Sequence, residues 1–216
     1  MIDHHHPPAD EGIIMKNFKR FTVPVLVFAY LASPLSTANQ IVCDTSSDEE
    51  LQRLEDAGDI RASYLLGARH MSPYSGDSSW EPAQIHFAKA AAQFHPPSMY
   101  FLALTGGGGN ASQRFALKLN AAERGFKRAY ADLAYAYSNE KNPVYSKLDA
   151  YAWISICIEH DWFCRQGDLE KIISGYSDRE KTLGEQLKAR IIEKQKTFPP
   201  YEVVSDCINE WQPAPR

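Results

Sequence analysis

Ala62-Ser-Tyr-Leu-Leu-Gly67 is said three times in this chain. It returns as Ser98-Met-Tyr-Phe-Leu-Ala103 and again as Ala129-Tyr-Ala-Asp-Leu-Ala134. Each copy opens on a small residue, with Leu fifth and a small residue sixth. The copies start 36 and then 31 residues apart, inside the roughly 20–50-residue period of stacked-repeat proteins. A second phrase precedes the later copies. Lys89-Ala-Ala91 and Asn120-Ala-Ala122 each end seven residues before the next copy begins. At about 100° per residue, positions one, five and six of the phrase fall on one stripe of a helix. Small residues there let a second helix approach, and Leu fills the space between the axes. The Lys-Ala-Ala segment supplies the small patch on that second helix. One such pair cannot bury its apolar faces alone, whereas stacked pairs can.

These residues resemble the Sel1-like repeats, whose pattern reads A-x-Y-x-L-G, a Gly-containing turn, then K-A-A-x-x-G. Ala62, Tyr64, Leu66, Gly67 and Lys89-Ala90-Ala91 match in the first repeat. Tyr100, Leu102, the Gly106–Gly109 turn, Ala121-Ala122 and Gly125 match in the second. The third departs, with Ala131 in place of Tyr and Asn139-Glu-Lys-Asn-Pro143 as a turn without Gly. Its second helix, Asp149-Ala-Tyr-Ala-Trp153-Ile, is similar to the family's aromatic-rich last repeat. Tyr176-Ser-Asp-Arg-Glu180 is similar to the start of a closing helix. The resemblance covers about residues 48–196. It implies an all-α, right-handed α-solenoid of about three Sel1-like helix pairs, with capping helices at both ends.

The ends carry other information. Residues 1–14 hold His4-His5-His6 and two prolines without periodicity; they are read as a non-structural extension ahead of a start at Met15. Residues 15–38 read as a signal peptide. Lys16, Lys19 and Arg20 precede an apolar run from Phe21 to Ala32, and Ser36-Thr37-Ala38 offers a cleavage site. That run is too short to span a bilayer comfortably, so no transmembrane span is expected after cleavage. The solenoid then occupies 39–198 and a tail 199–216. Ser46 to Glu50 form a capped, acidic helix start. Asp178 to Lys196 carry Leu183, Leu187, Ile191 and Ile192 on one side, and Pro199-Pro200 stops that helix. The net charge of −4 gives no sign of a nucleic-acid partner.

All four cysteines follow the signal, which in an exported chain reads as two disulfides. Cys157 and Cys164 lie seven residues apart around Glu159-His160-Asp161, so a bridge there would staple a helical hairpin. A cysteine-rich branch of the Sel1-like family uses closely spaced pairs in a similar way. Cys43 and Cys207 remain; they pair with each other across the stack, or one is free or pairs with another chain.

No catalytic motif stands out. Gly106-Gly-Gly-Gly109 has no following Lys-Ser/Thr and reads as a turn. The four histidines after the signal, His70, His86, His95 and His160, show no His-Glu-x-x-His spacing. No metal or cofactor is expected. The candidate site is instead the side of the first helices turned away from the small-residue stripe. Tyr64 and Leu65, Tyr100 and Phe101, and Asp132 and Tyr135 fall there. They are read as an inner face for a protein partner, aromatic residues being favoured anchors. Repeat-to-repeat packing is the competing reading, strongest for Tyr64 and Tyr100. The resemblance implies a periplasmic adaptor or inhibitor, with an immunity protein against a phospholipase toxin as one specific form and an envelope protein as the other kind of partner. The alternative it implies is a β-lactam-binding or β-lactam-hydrolysing enzyme of the cysteine-rich branch. Nitrocefin turnover at the buffer baseline would remove that alternative.

Overall fold

The computed structural model describes residues 47–71, 80–160 and 164–201, all within one compact unit. The expectations placed on residues 1–38, on Cys43 and Cys207, and on the tail beyond Tyr201 lie outside the described residues. Among those residues there are nine helices and no strand.

Local chemistry sets the helix starts. Helix α1 (Asp48–Asp56) begins where Ser47 Oγ accepts from the Glu50 amide at 3.2 Å, with three acidic residues in the first turn. Helix α2 (Ile60–His70) is capped by Asp59, which accepts from the amides of Arg61 and Ala62. Helix α3 is Glu81–Ala92. Helix α4 (Pro96–Leu104) starts on prolines, which tolerate the first turn because its amides lack helical partners. Asn110 and Gln113 form a capping box that opens α5 (Ala111–Glu123). Next come α6 (Arg128–Ser138), α7 (Lys147–His160) and the short α8 (Gln166–Ile172). Ser177 and Glu180 cap α9 (Asp178–Lys196).

The pairing is that of stacked hairpins. Helix α2 packs on α3, α4 on α5 and α6 on α7, while α3 meets α4 and α5 meets α6. At one end α1 lies on α2. At the other α9 lies on α7 and reaches α5. The repeated phrase forms the seam: Ala62, Leu66, Leu102, Ala103, Ala129, Leu133 and Ala134 are all buried. Gly67 shows why its position is small, since a Cβ there would stand 2.6 Å from the Phe87 ring of α3. The four-glycine run is the turn between α4 and α5, with Gly106, Gly108 and Gly109 at φ of +88°, +81° and +96°.

Helices α3 and α5 end in the same hydrogen-bonded turn. Phe94 N donates to Ala91 O and His95 N to Ala90 O. Gly125 N donates to Ala122 O and Phe126 N to Ala121 O. The residue at the bend is left-handed in both, but one is Gly125 and the other is Phe94, at φ +62°. The short-spaced cysteine pair is bonded as the spacing suggested. Cys157 and Cys164 join with their Cα atoms 5.7 Å apart, tying the last turn of α7 to the approach to α8.

Candidate functional site

The structure corrects the expected lining of the binding face. Tyr64, Leu65, Tyr100 and Phe101 are buried, between 2% and 7% exposed. The Phe101 ring meets Tyr64 at 6.1 Å, Phe87 at 5.6 Å and Tyr100 at 5.4 Å between centroids. Phe126 packs against both Tyr100 and Phe101. The reason is that α4 has neighbours on every side, with Pro96 through Ala103 all buried. A helix apolar all round is an interior helix. Packing between repeats therefore accounts for these four residues. Burial pushes the phenols of Tyr64 and Tyr100 well above their ordinary range, and the Asp132 carboxylate adds to the effect at Tyr100.

Asp132 and Tyr135 stay at the surface, the Tyr135 side exposed to 51%. They border a cleft of about 370 Å³ between the second and third repeats, with Ala103, Arg114, Phe115 and Lys118 among its other walls. Its origin can be followed station by station. Lys118 occupies the place in α5 that Phe87 occupies in α3, and Asp132 takes the place of Phe101. A ring-to-ring contact between the first and second repeats thus becomes, between the second and third, an ion pair, Lys118 Nζ to Asp132 Oδ2 at 2.6 Å. Two compact aromatic fillers are missing, and the space stays open. The Tyr100 phenol lies near the Asp132 carboxylate, which helps to raise its pKa. The Lys118 ammonium sits 5.7 Å above the Tyr100 ring. Arg114 is aimed by a bond from its guanidinium to Gly109 O at 2.6 Å. The pKa of the Tyr135 hydroxyl is raised by partial burial and then by the Asp168 carboxylate of α8. Arg114, Phe115 and Lys118 were not singled out from the sequence. The signal was available in the exchange of Phe87 for Lys118 between two repeats in register.

A second polar cluster fastens α1 to α3. Glu55, buried on α1, accepts from Lys89 Nζ at 2.5 Å and Gln52 Nε2 at 3.0 Å, and bonds His86 Nδ1 at 2.7 Å. Burial alone would raise its pKa, but these hydrogen bonds outweigh it and bring the carboxyl down to about 2. The His70 ring stacks on His86 at 5.3 Å. His95 Nδ1 bonds Ser98 Oγ at 2.8 Å. Glu159, in the last turn of α7, is paired with Lys188 at 2.7 Å. Among the described residues no group of three His, Cys, Asp or Glu is gathered as a metal site, and no helix is long and apolar enough to cross a membrane.

Compared with solved structures, the chain is similar to c5321, a protective antigen present in uropathogenic Escherichia coli strains that displays an SLR (Sel1-like repeat) fold. The TM-score is 0.60 at 20% identity over 73% of this chain. The match spans 37% of that protein's length. The comparison shows that the chain has the Sel1-like repeat fold, an all-α solenoid. No protein-family model matches the chain, and no curated protein matches it.

Proposed function

We propose that the chain is an exported protein-binding solenoid, an adaptor or inhibitor in the periplasm, and that the cleft between repeats two and three is its contact surface. The observation that carries this reading is the exposed Tyr135 beside the Lys118–Asp132 pair. An aromatic anchor next to a partly desolvated charge pair is the combination on which interface energy concentrates. The cleft suits a partner side chain with an apolar body and a polar tip. Phe115 and Ala103 would meet the body, and Arg114 and Lys118 the tip. The Cys157–Cys164 bond supports an oxidising compartment, and residues 15–38 supply the export signal. Within this class the specific form is an immunity protein that blocks a phospholipase toxin.

The test is affinity capture from the native cells with two baits, the native chain and Tyr135→Ala, followed by a phospholipase assay on the captured protein. The reading expects one stoichiometric protein on the native bait, at least tenfold depleted on the variant, and a lipase activity that the native chain suppresses. A captured envelope-assembly or signalling protein makes the chain an adaptor. Equal capture on both baits contradicts the cleft as the contact surface.

A further inference from the structure

We propose that the face where the ends of α3 and α5 meet the starts of α4 and α6 is a groove for an extended partner segment bearing two aromatic side chains spaced by prolines, and that the chain's own Phe198-Pro-Pro-Tyr201 occupies it. This site is separate from the cleft and stands whether or not the cleft binds.

The segment has the form of a polyproline ligand. Pro199 and Pro200 fix their own φ and push the residues before them to extended backbone. A polyproline II chain repeats every three residues, so Phe198 and Tyr201 project to the same side. Burial follows that rule: both prolines are exposed, while Phe198 and Tyr201 are half-buried. Tyr201 meets the His95 ring edge-on at 6.3 Å. Burial, and then Tyr130 nearby, pushes its phenol up to about 12. The last turn of α9 delivers the segment to this place. Gln195 Nε2 donates to Ala122 O at 2.8 Å and to the Tyr130 hydroxyl at 3.1 Å.

The other anchor is a sandwich. The Arg124 guanidinium lies 4.5 Å from the centroid of Phe198 and 4.9 Å from that of Phe94. Its Nε is buried with no hydrogen-bond partner among the described residues, so the rings are the contacts that compensate it. Phe94 is the second, independent observation. It stands at φ +62°, where the equivalent turn of the next repeat has Gly125, and it is 63% exposed. A bulky side chain in left-handed backbone is strained, and such strain concentrates at functional positions. Burial of Phe94 cannot be what offsets it. What the ring does is complete the slot around Arg124.

The prolines donate no backbone hydrogen bond, so the ring contacts carry much of the seat. Aromatic-lined grooves take proline-rich segments in this manner. A partner segment of the same spacing can replace the occupant once the occupant lets go. Tethering gives the internal segment an effective concentration on the order of millimolar, which masks the groove in the native chain.

The experiment is fluorescence anisotropy with a labelled peptide of residues 197–202, Thr-Phe-Pro-Pro-Tyr-Glu, titrated with full-length protein. The double variant Phe198→Ala with Tyr201→Ala empties the groove and should bind the peptide at least tenfold more tightly than the native chain. Adding Arg124→Ala should reverse the gain. A folded double variant that binds no better than the native chain overturns the proposal. Phe94→Gly gives a second readout that folding failure cannot imitate, because glycine relieves the backbone. It should melt no lower than the native chain, yet chymotrypsin should cut after Tyr201 at least threefold faster. An unchanged cleavage rate also overturns the proposal.

Discussion

Helices α4 and α6 occupy the same station in successive repeats, and they are treated differently. In α4 every residue from Pro96 to Ala103 is buried, and Phe101 sits among four other rings. In α6 the matching position is Asp132, half-exposed and paired with Lys118, and Tyr135 faces solvent. The motif is shared, so the motif does not decide which face is free. Neighbours decide it. Helix α4 lies between a complete first repeat and the start of the third. After α6 and its partner α7 come only the seven-residue α8 and the closing helix α9, with the Cys157–Cys164 bond holding that end. At this station the repeat that has a successor buries its ring, and the last one leaves Asp132 and Tyr135 at the surface.

The strongest way to break this comparison is Phe101→Ser. Loss of a buried ring costs about 3–5 kcal/mol and a stranded hydroxyl adds to it, against a typical total of about 5–15 kcal/mol. Urea denaturation should find the variant largely unfolded. If it retains native stability, the ring is not core and the account of α4 fails. Next is the bridge. The Cys157→Ser, Cys164→Ser variant should lose about 2–3 kcal/mol by thermal melting, as the loop-entropy model gives for so short a loop. A loss near zero would mean that α9 alone holds the last repeat.

Gly67→Ala sharpens the same point at the first repeat. Its methyl would press on Phe87 at 2.6 Å, costing about 1–3 kcal/mol, although alanine is the better helix former. In α4 the opposite holds. Ala103→Gly should cost only about 1 kcal/mol, from helix propensity alone, because Ala103 borders the cleft and faces no ring in Phe87's station. Equal effects would mean that the Phe87-to-Lys118 exchange does not create the cleft. Acid sharpens the other end of the stack. Glu55 has its pKa lowered from 4.5 to about 2, so its contribution is present above the unfolded value and is lost as pH falls through the folded one. The contact between α1 and α3 should therefore weaken between about pH 4.5 and 2, followed by amide exchange in α1, and Glu55→Gln should flatten that dependence. The smallest stability effect belongs to Tyr135→Ala, within about 1 kcal/mol as for an exposed side chain, while partner capture falls.

The periodic part of this fold was legible. Ala62, Leu66, Ala129, Leu133 and Ala134 fall on the seam where their spacing put them, because helix geometry converts spacing into direction. The glycine turn and the Cys157–Cys164 bond were also readable, since each rests on local chemistry. The free surface was not. A helical wheel for one helix separates two faces, and Tyr64, Leu65, Tyr100 and Phe101 were placed outside on that basis. Stacking covers both faces, and which repeat escapes depends on residues far off in sequence. The left-handed Phe94 was hidden for a similar reason. It stands where the repeat pattern has Gly, and its ring is explained by Arg124 and Phe198, 30 and 104 residues away.

The claim that the last repeat carries the contact surface is tested most directly by amide hydrogen exchange on the full-length protein, alone and with its captured partner. The account predicts slowed exchange in α5 and α6 around Arg114–Lys118 and Asp132–Tyr135, with the buried layer of α2 and α4 unchanged. Protection confined to α2 and α3, with α6 untouched, would contradict it.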